Sequence, residues 1–215
     1  MKHNLDKKEI IEIITEIKNS VARDIMPTIK CYRNKNNWKD FQQPGFWTIP
    51  RMIFPEIDGL ARLRYGRINE VGSSQDAVKF MEEYFPRPEY KKISGFLWHV
   101  FRLGLLHSHY PKSMSILGKN RGWGVSLRLT GKEVPIHLEF LDKKNKESLT
   151  LDGEEFYKDF IQAIDNYIKD FNDLKKENEL INNFSEVYAC MVFPSSEKTW
   201  GKKSYLQNLD FNFFR

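Results

Sequence analysis

The chain has 215 residues, 40% of them apolar and 14% aromatic, with a formal net charge of +5. This composition excludes a disordered chain and suits one well-filled domain with an appendage, while the charge permits a polyanionic partner without demanding one. No run of about 18 uncharged apolar residues occurs, and the N-terminus is charged from Lys2 onward, so neither a membrane span nor a secretory leader is read and the cytoplasm is the expected compartment.

Asp6 can cap a first helix whose Ile10, Ile13, Ile14, Ile17 and Val21 form one apolar stripe, with Pro27 marking its stop. From Lys30 to Pro55 the pattern is irregular. Lys30, Arg33, Lys35 and Lys39 alternate with Tyr32, Trp38, Phe41, Phe46 and Trp47. Such interleaving can hold single-stranded nucleic acid, but a long loop pinned by its aromatics is the more common use and is the reading favoured here. Ile57, Leu60, Ala61 and Leu63 predict a short second helix ending near Gly66. Ser73 and Asp76 form a capping pair for a third helix carrying Ala77, Phe80, Met81, Tyr84 and Phe85, closed by Pro86 and Pro88.

Residues 93–112 hold the densest apolar run. Ile93, Phe96, Leu97, Val100, Phe101 and Gly104 recur at helical spacing, which predicts a central helix that the others pack against. Beyond it the period changes to two. Val125, Leu127 and Leu129 alternate with polar residues, Gly131-Lys132 marks a turn, and Val134, Ile136, Leu138 and Phe140 alternate again, predicting an antiparallel hairpin with a third strand at Leu149 and Leu151. Pro135 places the second strand at an edge, and so small a hairpin must lie against the helices. Asp152 and Glu155 cap a long helix running through Phe156, Phe160, Ile161, Ile164, Ile168, Phe171 and Leu174, and one more helix is expected around Leu180 to Val192.

Chemistry is sought where the apolar run ends. Arg102 and His107 leave the hydrocarbon background beside Gly104, followed by His109, Pro111 and Lys112. A guanidinium and a titratable imidazole at the end of a buried helix suit phosphate chemistry. In a straight helix Arg102 and His109 share a face while His107 turns toward the apolar stripe. Thus His107 is either a core histidine with a satisfied hydrogen bond or a site residue reached by a helix that loosens near Gly104, or by a second subunit. His99 and His137, the latter on the polar side of a strand, are read as structural. Cys31 and Cys190 support neither a disulfide nor a metal site.

Arg102-Leu103-Gly104-Leu105-Leu106-His107 with Pro111-Lys112 behind it resembles the R-x4-6-H motif of HEPN domains, helical bundles that bind or cut nucleic acid. The order of elements over residues 6–178 is similar too. The implied fold is mainly α: a HEPN-like bundle over residues 1–178, with a small antiparallel hairpin around 124–151 inserted between the motif helix and the long closing helix. Residues 179–215 form a C-terminal extension packing on the core or on a partner subunit. The implied activity is a metal-independent endoribonuclease of toxin or phage-defence type, without cofactor, acting as a homodimer and subject to an antitoxin or regulatory partner. Arg102 and His107 would be catalytic, His109 and Lys112 auxiliary, and Arg121, Trp123 and Arg128 would guide RNA. Leu103 stands where RNA-cutting members usually carry a polar residue. The rival reading is a non-catalytic module of the same kind that binds RNA, a nucleotide or a partner protein, with Arg102 and His107 in an interface or a salt-bridge network.

Overall fold

The computed structural model describes residues 5–33, 48–68, 73–103, 114–116, 119–126, 137–143 and 146–192. They form a mainly helical protein with a small sheet. The helices are α1 (Lys7–Arg33), α2 (Thr48–Tyr65), α3 (Ser73–Tyr84), α4 (Tyr90–Leu97) continued by a π-helical segment (Trp98–Leu103), α5 (Gly153–Asp170) and α6 (Glu177–Val192). Among the described residues no helix is long and apolar enough to cross a membrane.

Asp6 caps α1 as expected. Its Oδ1 accepts from the Glu9 N–H, and Glu9 Oε2 accepts from the Asp6 N–H, both at 2.8 Å, a reciprocal box that satisfies two otherwise orphaned donors. Pro27 does not end the helix. Ile25 and Ile29 are buried on either side of it while Pro27 itself faces outward, so burial outweighs a proline cost of about 3 kcal/mol. The same holds at Pro55 in α2, where the outward ring lies between buried Ile53, Phe54 and Ile57. Residues 48–55, expected to be irregular, are therefore helical, and Pro50 sits in the first turn, where its missing N–H breaks no bond. Residues 34–47 of the expected basic and aromatic loop lie outside the described residues.

Among the described residues the hub of the bundle is α2, while residues 104–112 of the expected central helix lie outside them. It packs against α1, α3, the π-helical segment, α5 and α6, burying Ile53, Phe54, Ile57, Leu60, Ala61 and Leu63. α5 is capped by Asp152, whose Oδ1 accepts from the N–H groups of Glu154 and Glu155, but it stops at Asp170. Phe171 remains in the core, whereas Leu174 lies in a turn and is 84% exposed. The proposed Ser73–Asp76 capping pair is replaced by an ion pair of Asp76 with Arg67. α6 buries Leu180, Phe184 and Val187 in the same core as the other helices.

The sheet has four strands, β1 (Met114–Ile116), β2 (Lys119–Ser126), β3 (Glu139–Lys143) and β4 (Lys146–Asp152), in the order β1-β2-β4-β3. β1–β2 and β3–β4 are antiparallel, whereas β2 and β4 are parallel, with Trp123 opposite Leu149 and Val125 opposite Leu151. Among the described residues β4 lies between the ends of the two segments that alternation paired directly, because a period of two marks a strand without naming its neighbour; residues 127–136, which hold most of the expected hairpin and its turn, lie outside the described residues. β3 is an edge strand, although Pro135 lies outside the described residues. The sheet leans on the helices, with Leu149 and Leu151 fully buried and the Phe140 ring 5.8 Å from Phe96.

Candidate functional site

Two polar clusters interrupt the apolar packing around the motif helix. The first arises where α4 widens. Ser94 Oγ donates to the Tyr90 carbonyl at 2.6 Å, a local bond that competes with the helical ladder, and from Trp98 the chain turns as a π-helix. π segments carry about one extra residue per turn and recur at functional sites. Within this segment Trp98 and Phe101 both meet Phe54 of α2, at 5.9 Å edge-on and 6.2 Å stacked. It also carries Arg102 over the Trp98 indole, its guanidinium carbon 5.4 Å from the ring centroid. The helix thus widens over Trp98–Leu103, just ahead of Gly104, which with His107 lies outside the described residues.

Arg102 is held from two sides. Its Nη2 donates to Asp58 Oδ2 of α2 at 3.3 Å, and the two side chains remain 22% and 19% exposed. The pair is only half saturated: Arg102 Nε and Asp58 Oδ1 are buried and have no hydrogen-bond partner among the described residues. The indole N–H of Trp98, a side chain almost fully buried, is likewise without one. One turn beyond Asp58, Arg62 donates through Nη2 to the Ile68 carbonyl at 3.1 Å, while its Nε has no hydrogen-bond partner among the described residues. The arrangement presents a stacked, anchored and partly exposed guanidinium, a group suited to an anionic oxygen.

The second cluster is centred on buried His137 and Asp159. His137 Nδ1 accepts from the Asp152 N–H at 3.1 Å, so its proton resides on Nε2, which donates to Asp159 Oδ2 at 3.1 Å. The same oxygen accepts from Tyr90 Oη at 3.0 Å and Arg87 Nε at 2.7 Å, and Arg87 Nη2 reaches Glu155 at 2.6 Å. Burial, followed by the charge of Asp159, pushes the Tyr90 phenol far above its ordinary range, so it stays a donor. With both ring nitrogens engaged and the His137 side chain 1% exposed, this cluster ties the segment before β3 to α4 and α5, and Arg87, 38% exposed, carries it to the surface.

His137 therefore does not lie on the polar side of a strand. Leu138 adopts φ 61, a left-handed conformation rare for leucine, which breaks the alternation and sends His137 and Leu138 both inward. His99 is exposed. Of the other expected site residues, His107, His109, Lys112 and Arg128 lie outside the described residues. Arg121 and Trp123 fall on β2, with Arg121 opposite both Met114 and Glu147. Sequence reasoning missed Asp58 and Trp98, the two partners of Arg102. Their one signal was Asp58, with Glu56 one of two carboxylates among the apolar residues and arginines of α2. Among the described residues no group of three or more His, Cys, Asp or Glu side chains could hold a metal ion.

The chain matches no protein-family model, no curated protein and no solved structure.

Proposed function

We propose that this chain is a metal-independent endoribonuclease of the HEPN-like kind, working as a homodimer in the cytoplasm, with Arg102 as the phosphate contact and His107 as the proton carrier. One observation supports it above the others: the motif arginine sits on a π-helical turn, stacked on Trp98 and tied to Asp58 through one nitrogen, with another donor uncommitted. A guanidinium held in this way is pre-organised, so its charge acts on a phosphate without first being ordered.

In the proposed reaction a ribose 2′-oxygen attacks the adjacent phosphorus. The 2′-O–P bond forms as the P–O5′ bond breaks, leaving a 2′,3′-cyclic phosphate and a 5′-hydroxyl. A histidine takes the 2′-OH proton and a histidine returns one to the leaving oxygen, roles that two facing copies of His107, or His107 with His109, would fill. Arg102 meets the charge growing on the non-bridging oxygens, and Lys112, Arg121, Trp123 and Arg128 extend the contact along the strand.

The second reading, a non-catalytic module binding RNA, a nucleotide or a partner protein, is favoured by the Arg102–Asp58 pair, which offsets the cationic charge, and by Leu103. Incubating the purified chain with mixed RNA in a chelator separates the two. The nuclease yields cyclic phosphate ends that vanish in Arg102→Ala and His107→Ala. Intact RNA, or equal cutting by the variants, leaves the binding module.

A further inference from the structure

We infer that Asp58 is an autoinhibitory counter-ion for Arg102 which an RNA phosphate displaces, and that Arg62 takes over the carboxylate once it is released. The inference rests on the reading of Arg102 as a phosphate contact and adds what holds that contact back.

The structural arginines of the bundle are each held by several side chains. Arg87 reaches Asp159 at 2.7 Å and Glu155 at 2.6 Å, and Arg64 spreads over Tyr84, Glu179 and Glu83. Arg102 instead meets its carboxylate through one bond of 3.3 Å, with both side chains partly exposed, where charged pairs usually close to about 2.7–2.9 Å. A single, long and hydrated ion pair adds little to stability, so it can break while the fold stands. As long as it is made, the carboxylate opposes the positive field that a phosphate would meet. Trp98 supports the guanidinium without carrying charge, so release of Asp58 frees the cation and keeps its orientation.

A released carboxylate needs another partner, because leaving it half buried and unpaired is costly. Arg62 lies four residues further along α2, the spacing at which an aspartate and an arginine pair on one helix face. Its Nη2 is engaged only by the Ile68 carbonyl, a neutral bond of 3.1 Å to an exposed residue. Asp58 Oδ1 and Arg62 Nε are both buried and without a hydrogen-bond partner among the described residues. Two cations thus flank one carboxylate. Arg102 holds it in the free protein, and Arg62 receives it when a phosphate occupies Arg102. No ligand has to reach the buried atoms, since the phosphate meets the exposed part of the Arg102 side chain and only Asp58 turns. Asp58 takes up no proton in the exchange, which leaves the acid–base steps to histidine.

The test follows a labelled single-stranded RNA by fluorescence anisotropy, over a range of salt concentrations, against the full chain carrying His107→Ala, which stops cleavage. Asp58→Asn keeps the shape and removes the charge, and Asp58→Ser serves as a second uncharged variant. Either should tighten binding by about threefold to fivefold, the size expected of a partly exposed ion pair. Either should also steepen the fall of log K with log salt by about 0.7, as for one further phosphate contact on a single strand. The gain should vanish when Arg102→Ala is also present, because no cation is then left to release. Arg62→Gln should weaken binding by about twofold beside the native Asp58 and not at all beside Asp58→Asn. Unchanged or weaker binding in both Asp58 variants overturns the inhibitory role and makes the carboxylate a support for Arg102. A gain that persists with Arg102→Ala also overturns it, as a mere change of net charge. An equal loss from Arg62→Gln in both backgrounds overturns the hand-over and makes Arg62 a direct contact. Unaltered binding in Arg102→Ala alone overturns the reading of Arg102 as a phosphate contact.

Discussion

His137 and Asp159 stand 22 residues apart in the chain and share a 3.1 Å hydrogen bond in which the imidazole donates from Nε2, because the Asp152 N–H already occupies Nδ1. Asp159 Oδ2 thereby collects three donors, from His137, Tyr90 and Arg87, and ties the start of the edge hairpin to two helices. Asp159→Asn weakens all three bonds and leaves Arg87 with only Glu155. We expect it to lower stability by about 2–3 kcal/mol, read as a drop in the urea midpoint with an unchanged slope. A midpoint like that of the parent would show that the sheet is held by apolar packing alone.

Gly66 closes α2 with φ +69, and a Cβ there would lie 2.7 Å from Asn183 Oδ1. Asn183 cannot retreat freely, since its Nδ2 donates to the Arg64 carbonyl at 3.1 Å. Gly66→Ala should therefore cost about 1–3 kcal/mol in thermal unfolding. With Asn183→Ala added, the second loss should be smaller than in the parent chain, because the steric conflict has already gone.

Glu56 on α2 has its carboxyl raised above the ordinary 4.5, by burial first and then by the charge of Asp24 on α1. Below that pH the group is neutral in both states and carries no penalty. As pH rises, the unfolded chain ionises first, so the folded state loses stability until its own higher value is passed, and the penalty is constant from there. Glu56→Gln should then raise the melting temperature at pH 7 and give little gain near pH 4. A gain of equal size at both values would contradict this origin.

Arg102→Lys keeps the charge but not the fork. A single ammonium cannot hold Asp58, stack on Trp98 and face a phosphate at once. If the proposed ribonuclease reading holds, RNA cleavage should fall by at least about tenfold, consistent with the loss of one oriented donor, while stability changes by no more than about 1 kcal/mol because the ion pair is partly exposed. Full activity in the lysine variant would mean that the positive charge alone suffices.

Much of the helical frame is legible in the sequence, because its causes are local. Asp6, and Asp152 with Glu155, mark helix starts that the structure reproduces, and Gly66 marks an end. The apolar stripes of α1, α3 and α5 match their buried faces. Prolines mislead, since Pro27 and Pro55 act as stops only where nothing buries the next turn.

What the sequence by itself determined is therefore the set of amphipathic elements, their order, and Arg102 as a cation leaving an apolar run. Only the tertiary structure decided that α2 is the hub, that β4 separates β2 from β3, that Leu138 turns His137 into the core, and that Asp58 and Trp98 hold the arginine. The physical reason is range. Capping and periodicity act within a turn or two of the chain, whereas strand order and ion pairing between residues 44 positions apart depend on which surfaces meet once the core closes.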